Sequence, residues 1–420
     1  MKYISTYFEC LVCLLYYVFG KTYNFSGMKR MLLPIVLAFM CACTNNVKTM
    51  ENEYAGKLDS KYALERKSDK RILLDSLIAP KTPYMQLYED VSGNRFLTML
   101  SAYDHSIYFY DYDRGEFVKK IKYVKDGKDG ILRIGGYYVK SLDSIYVYNH
   151  ALVQLVLTDG EGHVRSRHLL RGNDETWSSH YPQYNFTTAS PIIEKDNALF
   201  MTGFSPFSIK EEQINDFRFM SRFDMQDGKL SFHHLYPSEL YGDNANWDDP
   251  SYMQVYTTYK PSGEWVLGYA VSHYLNVAGS YDAETYNQVY GGSNVAGTIS
   301  SIDWDSDYTV TPDELIYTHY MRQDIYGPII YDSWRNVYYR FMQKRIPGAS
   351  IHNKLTEKDI IIILLDKNLT YMGETCIGTG DVWNISNSFV TKEGLNVEFI
   401  DKEDTEELYM NFGIFTINEK

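Results

Sequence analysis

Lys260–Pro–Ser–Gly263, followed at once by Glu264 to Val271 (EWVLGYAV), reads as a tight polar turn feeding a β-strand. The same unit, strand then turn then strand, recurs along the chain. Tyr88 to Asn94 precedes RFLTML, Lys140 to Asp143 precedes SIYVY, and Glu194 to Asn197 precedes ALFMTGF. Asp332 to Asn336 precedes VYYRFM, and Thr391 to Gly394 precedes LNVEFI. Further hairpin turns follow several of these pairs, at Asp113 to Glu116, Asp159 to Gly162, Asp227–Gly228 and Asp366 to Asn368. Two hairpins per repeat of about 50 to 70 residues describe the four-stranded blade of a β-propeller. The expectation is therefore an all-β chain of six such blades. Five or seven blades, a β-sandwich pair and a β-solenoid are the alternatives.

The ends bear on closure. Glu407 to Ile417 supplies only a third strand for the last blade, and Arg71 to Leu77 (RILLDSL) would complete that sheet as its outer strand. Joining first and last strands in one blade removes the open edges of the ring. The propeller would then occupy residues 71–420, with 43–70 as a polar, charged tether.

Ahead of the tether, Lys29 and Arg30 precede an apolar run, residues 31–42 (MLLPIVLAFMCA), then Cys43 and the polar Thr44, Asn45 and Asn46. A basic start, a short apolar stretch and a small residue before a cleavage point describe a secretory signal over 28–42. The apolar run is shorter than the roughly 20 residues that span a bilayer. Cys43 after the small Ala42 resembles the lipobox of bacterial lipoproteins, which implies that Cys43 becomes the acylated N-terminus. Cys41 is the second candidate, and an ordinary signal peptide or an anchor helix the plainer reading. Residues 1–27 hold another apolar run, Phe8 to Phe19, before Met28 opens a complete signal of its own. They read as a mis-called upstream segment and are set aside from the fold.

Five cysteines fall to one, Cys376, once residues 1–42 are removed and Cys43 is acylated. A lone thiol makes no intrachain disulfide, so the core must hold the fold. The whole chain carries a net charge of −13, and removing Lys2, Lys21, Lys29 and Arg30 with Glu9 makes it more acidic still. That balance argues against nucleic acid, whose binding rests on basic side chains at phosphates. Tyrosine, at 39 residues, suits exposed or half-buried strands.

In a propeller the connections between blades gather around one mouth of the channel. Four such stretches, 171–190, 241–253, 291–327 and 377–385, each hold a tryptophan: Trp177, Trp247, Trp304 and Trp383. With Tyr181, Tyr184 and Tyr252 they form a candidate ligand surface for a glycan or a basic peptide, by stacking and hydrogen bonding. The plainer alternative is that tryptophans fill small cores under long loops. Asp303, Asp305 and Asp307 alternate, and Glu314 lies twelfth from Asp303, an oxygen set that calcium would suit; a solvated acidic loop is the alternative. No catalytic motif stands out: G-x-S-x-G, H-E-x-x-H and a glycine-rich phosphate loop are all missing.

The arrangement MKR…CACTNN, a short tether, then tyrosine-rich sixfold repeats resembles the uncharacterised six-bladed propeller lipoproteins of Bacteroidota, related to the TolB-like group. The resemblance implies a cell-envelope location and no established activity, and it carries over no functional residue except Cys43. The function expected is a lipid-anchored, non-catalytic binding or scaffold module for a protein or glycan. It would sit at the outer membrane, on the periplasmic side. The alternative is a carbohydrate hydrolase or lyase with paired carboxylates around the channel; an apolar or blocked channel would favour the binding module.

Overall fold

The computed structural model describes residues 47–420, apart from 76, 77, 79, 81, 172–180 and 305–308. Cys43 and the segments before it lie outside the described residues. Within them, no helix is long and apolar enough to cross a membrane.

Six four-stranded antiparallel sheets follow one another along the chain, as the turn pattern predicts. Blade 1 spans Met85–Glu89 to Glu116–Lys122, blade 2 Ile134–Ser141 to Val164–Leu169, and blade 3 Ile193–Lys195 to Leu230–Leu235. Blade 4 spans Val255–Tyr259 to Tyr286–Tyr290, and blade 5 Ile325–Asp332 to Tyr371–Thr379. Blade 6 takes Trp383–Thr391, Gly394–Phe399 and Tyr409–Glu419 from the C-terminal end and Tyr62–Leu73 from the N-terminal end. The first strands face the axis, where Val255–Tyr259 packs on Ile325–Asp332 and that strand on Trp383–Thr391.

Aspartates explain why the turns are legible. Asp90 Oδ1 accepts from the backbone of Ser92 and Asn94, Asp159 from Glu161 and His163, and Asp366 from Asn368 and Thr370. One carboxylate thus satisfies two turn amides that a hairpin leaves unpaired. At Gly115, φ is +75° and a Cβ would lie 2.8 Å from the Arg71 carbonyl oxygen, so the turn beside the closing strand requires glycine.

The closing strand differs from the expectation in position. It is Tyr62–Leu73, paired with Tyr409–Glu419 from Tyr62↔Glu419 to Leu73↔Tyr409, with a bulge between Arg66 and Ser68. The last part of the stretch expected to be tether, residues 62–70, is therefore propeller strand. Its sequence is polar because an outermost strand buries one face only: Leu64 and Ile72 are its buried residues. The charges between them guard an exposed edge. Arg95 adds a second tie, pairing with Asp113 in blade 1 and with Glu393 of blade 6 at 2.9 Å.

Residues 47–61 also pack on the body as a strap. Thr49–Met50 pairs with Ile299–Ser300, and Asn52 Nδ2 donates to the carbonyls of Ser293 and Ala296. The amides of Gly56 and Lys61 donate to Asn294 and Met372. A second departure is the helix Pro312–Arg322 (α1), in a region expected to be all loop. A third concerns tyrosine. Tyr84, Tyr108, Tyr137, Tyr241, Tyr252, Tyr269 and Tyr326 are fully buried rather than half-exposed. Several spend their hydroxyls internally, as Tyr241 does on the Tyr252 carbonyl at 3.0 Å and Tyr137 on Thr98 Oγ1 at 2.8 Å.

Candidate functional site

The long connections do meet at one mouth of the axis, yet most of their aromatic residues point inward. Trp247 is fully buried, its Nε1 donating to the Leu240 carbonyl at 3.0 Å. Tyr252 packs on it at 5.3 Å between ring centroids and shares a 2.6 Å hydrogen bond with His319 Nδ1. Tyr184 is buried against Tyr148 and Phe186 and hydrogen-bonded to Ser221. These three are satellite core beneath the loops, so their assignment as ligand-contacting residues is corrected. Trp383 opens an inner strand instead of sitting in a long loop, because only residues 380–382 separate blades 5 and 6. It packs at a tilt against Phe415 and Phe399 under the Arg66 guanidinium and borders a cavity. Tyr181 is half-buried and Trp304 is 39% exposed. Trp177 lies outside the described residues.

Of the proposed calcium ligands, Asp305 and Asp307 also lie outside the described residues. Glu314 has another task. Its Oε2 accepts from both the amide and the hydroxyl of Thr311, while the Thr311 hydroxyl accepts from the Glu314 amide at 3.3 Å, the reciprocal capping box that starts α1. Threonine, proline and then glutamate at the third helical position carried that signal in the sequence. Among the described residues no group of three or more His, Cys, Asp or Glu is placed to hold a metal.

What occupies the axis is a turn. Thr187 and Ser190 bridge each other by backbone hydrogen bonds, and the Ala189 amide between them donates to the Ser386 carbonyl of blade 6 at 3.0 Å. Thr188 Oγ1 accepts from the Met85 amide of blade 1 at 2.9 Å and donates to Asn387 Oδ1 at 2.8 Å. Asn387 in turn donates to the Thr82 carbonyl and, at 2.7 Å, to Glu398 Oε2, which also receives Asn384 Nδ2 at 2.6 Å. The blade 6 inner strand bulges between Asn384 and Ser388, and the bulge presents Ser386 and Asn387 to the turn. The turn stoppers the channel and ties blades 1 and 6 to the connection before blade 3.

Above the stopper, at the inter-blade mouth, lie two adjoining chambers that share Gln343, Ile385 and Ser386 as borders. The first, about 200 Å³, is bordered by Asn185, Thr187, Ser190, Ser251, Gln254, Tyr256 and Tyr320. The second, about 370 Å³, adds Thr356, Lys358, Trp383, Asn384 and Glu398. Amides, hydroxyls and aromatic rings line the first chamber, while Leu355, Ile360, Ile385 and Ile400 make the second more apolar, and together they suit a polar ligand with flat apolar faces. Lys358 is buried at its edge, with Nζ donating to the carbonyls of Tyr320 (2.9 Å) and Gln323 (2.6 Å) at the end of α1. Burial brings this amine down to about 7, partly opposed by Asp324. Burial likewise pushes the Tyr320 phenol up to about 12. Of the chamber borders, sequence reasoning reached only Trp383, because the other residues come from blades 4, 5 and 6 and from separate connections and carry no linear motif.

Below the stopper a separate well of about 340 Å³ opens to the hairpin face, between the inner strands of blades 1, 3, 4, 5 and 6. Trp334, in the turn of blade 5, stands at its rim and is 54% exposed.

Among curated proteins, none matches the chain. Many solved structures are similar to it, three of them as follows. A protein of the DUF4221 family from Bacteroides vulgatus ATCC 8482 is 18% identical, with a TM-score of 0.71 over 86% of this chain and 99% of that one. A protein described as exported, from Bacteroides fragilis NCTC 9343, is 11% identical, with a TM-score of 0.48 over 88% and 98%. A catalytically inactive virginiamycin B lyase from Staphylococcus aureus is 10% identical, with a TM-score of 0.41 over 84% and 99%. The first of these speaks for the fold, and the other two carry no argument. The family profile described as "Domain of unknown function (DUF4221)" matches residues 61–376, which begin at the closing strand and run into the last strand of blade 5, and the chain belongs to that family.

Proposed function

We propose that this propeller is a lipid-tethered envelope protein that holds a glycan in the inter-blade chambers without turning it over. The stoppered axis carries the reading. A carbohydrate-cleaving propeller would need carboxylates facing one another across an open channel. Here the Thr187–Ser190 turn fills that position, and the carboxylate that borders the chambers, Glu398, is engaged by Asn384 and Asn387. The remaining lining, with Gln343, Gln254, Tyr256 and Tyr320, offers amides for sugar hydroxyls and rings for sugar faces. Cys43 would carry the acyl chains at the outer membrane, on the periplasmic side.

The test is titration of the mature protein with a panel of neutral and acidic oligosaccharides, each recovered afterwards for mass spectrometry. Saturable binding with intact recovery, weakened about tenfold or more in Gln343→Ala and Tyr256→Ala variants that unfold normally, is the expected result. Binding to none of the panel overturns the glycan reading, and shortened or unsaturated products would turn it towards the enzyme. Labelling with an alkyne fatty acid, lost in Cys43→Ser, checks the anchor.

A further inference from the structure

The well on the hairpin face lies on the other side of the stopper from the chambers, and it differs from them in kind. None of its bordering residues is Asp, Glu, Lys, Arg or His, in a chain of net charge −13. Its walls are aliphatic, with Met85, Leu87 and Ile329 among them, and its rim is aromatic, with Trp334 and Tyr331. At its border with the bulged strand of blade 6, Ser388 is fully buried and its Oγ has no hydrogen-bond partner. An unpaired buried hydroxyl costs free energy that a ligand group would recover. Two other hydroxyls on its border already have partners: Thr257 Oγ1 meets Thr202 Oγ1 at 2.5 Å, and Tyr331 donates to Asn336 at 2.9 Å.

We infer that this well is a second binding site, for an uncharged ring with apolar faces and a single hydrogen-bonding substituent. The ring lies between the aliphatic wall and Trp334, and the substituent reaches Ser388. A carboxylate or ammonium group is excluded because no bordering side chain would compensate its desolvation. The same chemistry is offered by a free phenol-like metabolite and by a tyrosine side chain on a partner's loop. The site goes beyond the glycan reading, and its failure leaves that reading untouched.

The experiment uses the mature protein and three probes: p-cresol, its anionic counterpart 4-methylbenzoate, and N-acetyl-tyrosinamide, each titrated by calorimetry and ligand-observed NMR. Saturable binding of p-cresol, with the anion about tenfold weaker or worse, is the expected result. Ser388→Ala and Trp334→Ala should each weaken p-cresol about fivefold or more while the unfolding midpoint of Trp334→Ala stays unchanged. Equal binding by N-acetyl-tyrosinamide assigns the site to a partner's side chain, and its exclusion assigns it to a free small molecule. Linear, unsaturable uptake of p-cresol, indifference to charge, or binding untouched by Trp334→Ala overturns the inference.

Discussion

Thr188 Oγ1 donates to Asn387 Oδ1 at 2.8 Å, joining the connection before blade 3 to the inner strand of blade 6 across 199 residues of chain. Both residues are buried, and each also holds a backbone group of the blade 1 region. Thr188→Val should therefore cost about 1–3 kcal/mol, because the Met85 amide and the Asn387 oxygen would be buried without partners. Urea unfolding at constant m-value measures it. A loss within about 0.5 kcal/mol would show that the stopper is replaced by solvent.

Removing residues 1–61 should leave a protein that folds, while removing residues 1–70 should not. The second deletion strips most of the strand that seals blade 6 and exposes the edge of Tyr409–Glu419. Size-exclusion chromatography and thermal melting distinguish a monomer with one cooperative transition from oligomers without one. Ile72→Ala in the full chain should cost about 2–5 kcal/mol, as a large-to-small change at a fully buried site.

Trp247→Ala should destabilise by about 3–5 kcal/mol and leave ligand affinity in the surviving folded protein unchanged. Trp304→Ala should shift stability by no more than about 0.5 kcal/mol. The contrast follows from Trp247 being sealed under the loops while Trp304 is partly open to solvent. Equal costs would show that the loop core extends to Trp304.

Acid should loosen the strap. His273 shares hydrogen bonds with Tyr326 Oη at 2.7 Å and with the Met50 carbonyl at 3.2 Å, and burial brings its imidazole down to about 4. His234 and His319 are likewise brought to about 4 by burial. A folded-state value below the unfolded one means that the unfolded chain binds more protons, so stability is complete above about pH 6.5 and declines as pH falls towards 4. Unfolding free energies between pH 7 and 4 should show that slope, and His273→Gln should flatten part of it. An unchanged slope in the variant would move the effect to the other buried histidines, His234 and His319 first among them.

The repeat was readable because its signal is local. A turn such as Asp366 to Asn368 needs a carboxylate for two nearby amides, and that requirement leaves an aspartate in the sequence wherever such a turn occurs. The closing strand was misplaced because an outermost strand looks like a linker: between Leu64 and Ile72 its residues are charged or polar. The α1 helix was hidden for a different reason. Glu314 serves a helix cap and a calcium loop equally well as a letter, and only Thr311 and Pro312 before it favour the cap. The stopper could not be read at all. Thr187, Thr188 and Ala189 have no distinctive chemistry, and their role comes from a bulge two hundred residues later in blade 6.

The strap has a mechanical consequence. A pull on the chain at Val47 is met first by Lys48 at Ser301 and Asp243, then by the two residues paired with Ile299–Ser300, by Asn52 at Ala296, Gly56 at Asn294 and Lys61 at Met372. These contacts give way one after another, each at a modest force. The load reaches Tyr62, where the sealing strand begins, only when all of them have parted. Drag on a tethered molecule would thus be absorbed by a sacrificial stretch that can re-form, before any of it is transmitted to the ring.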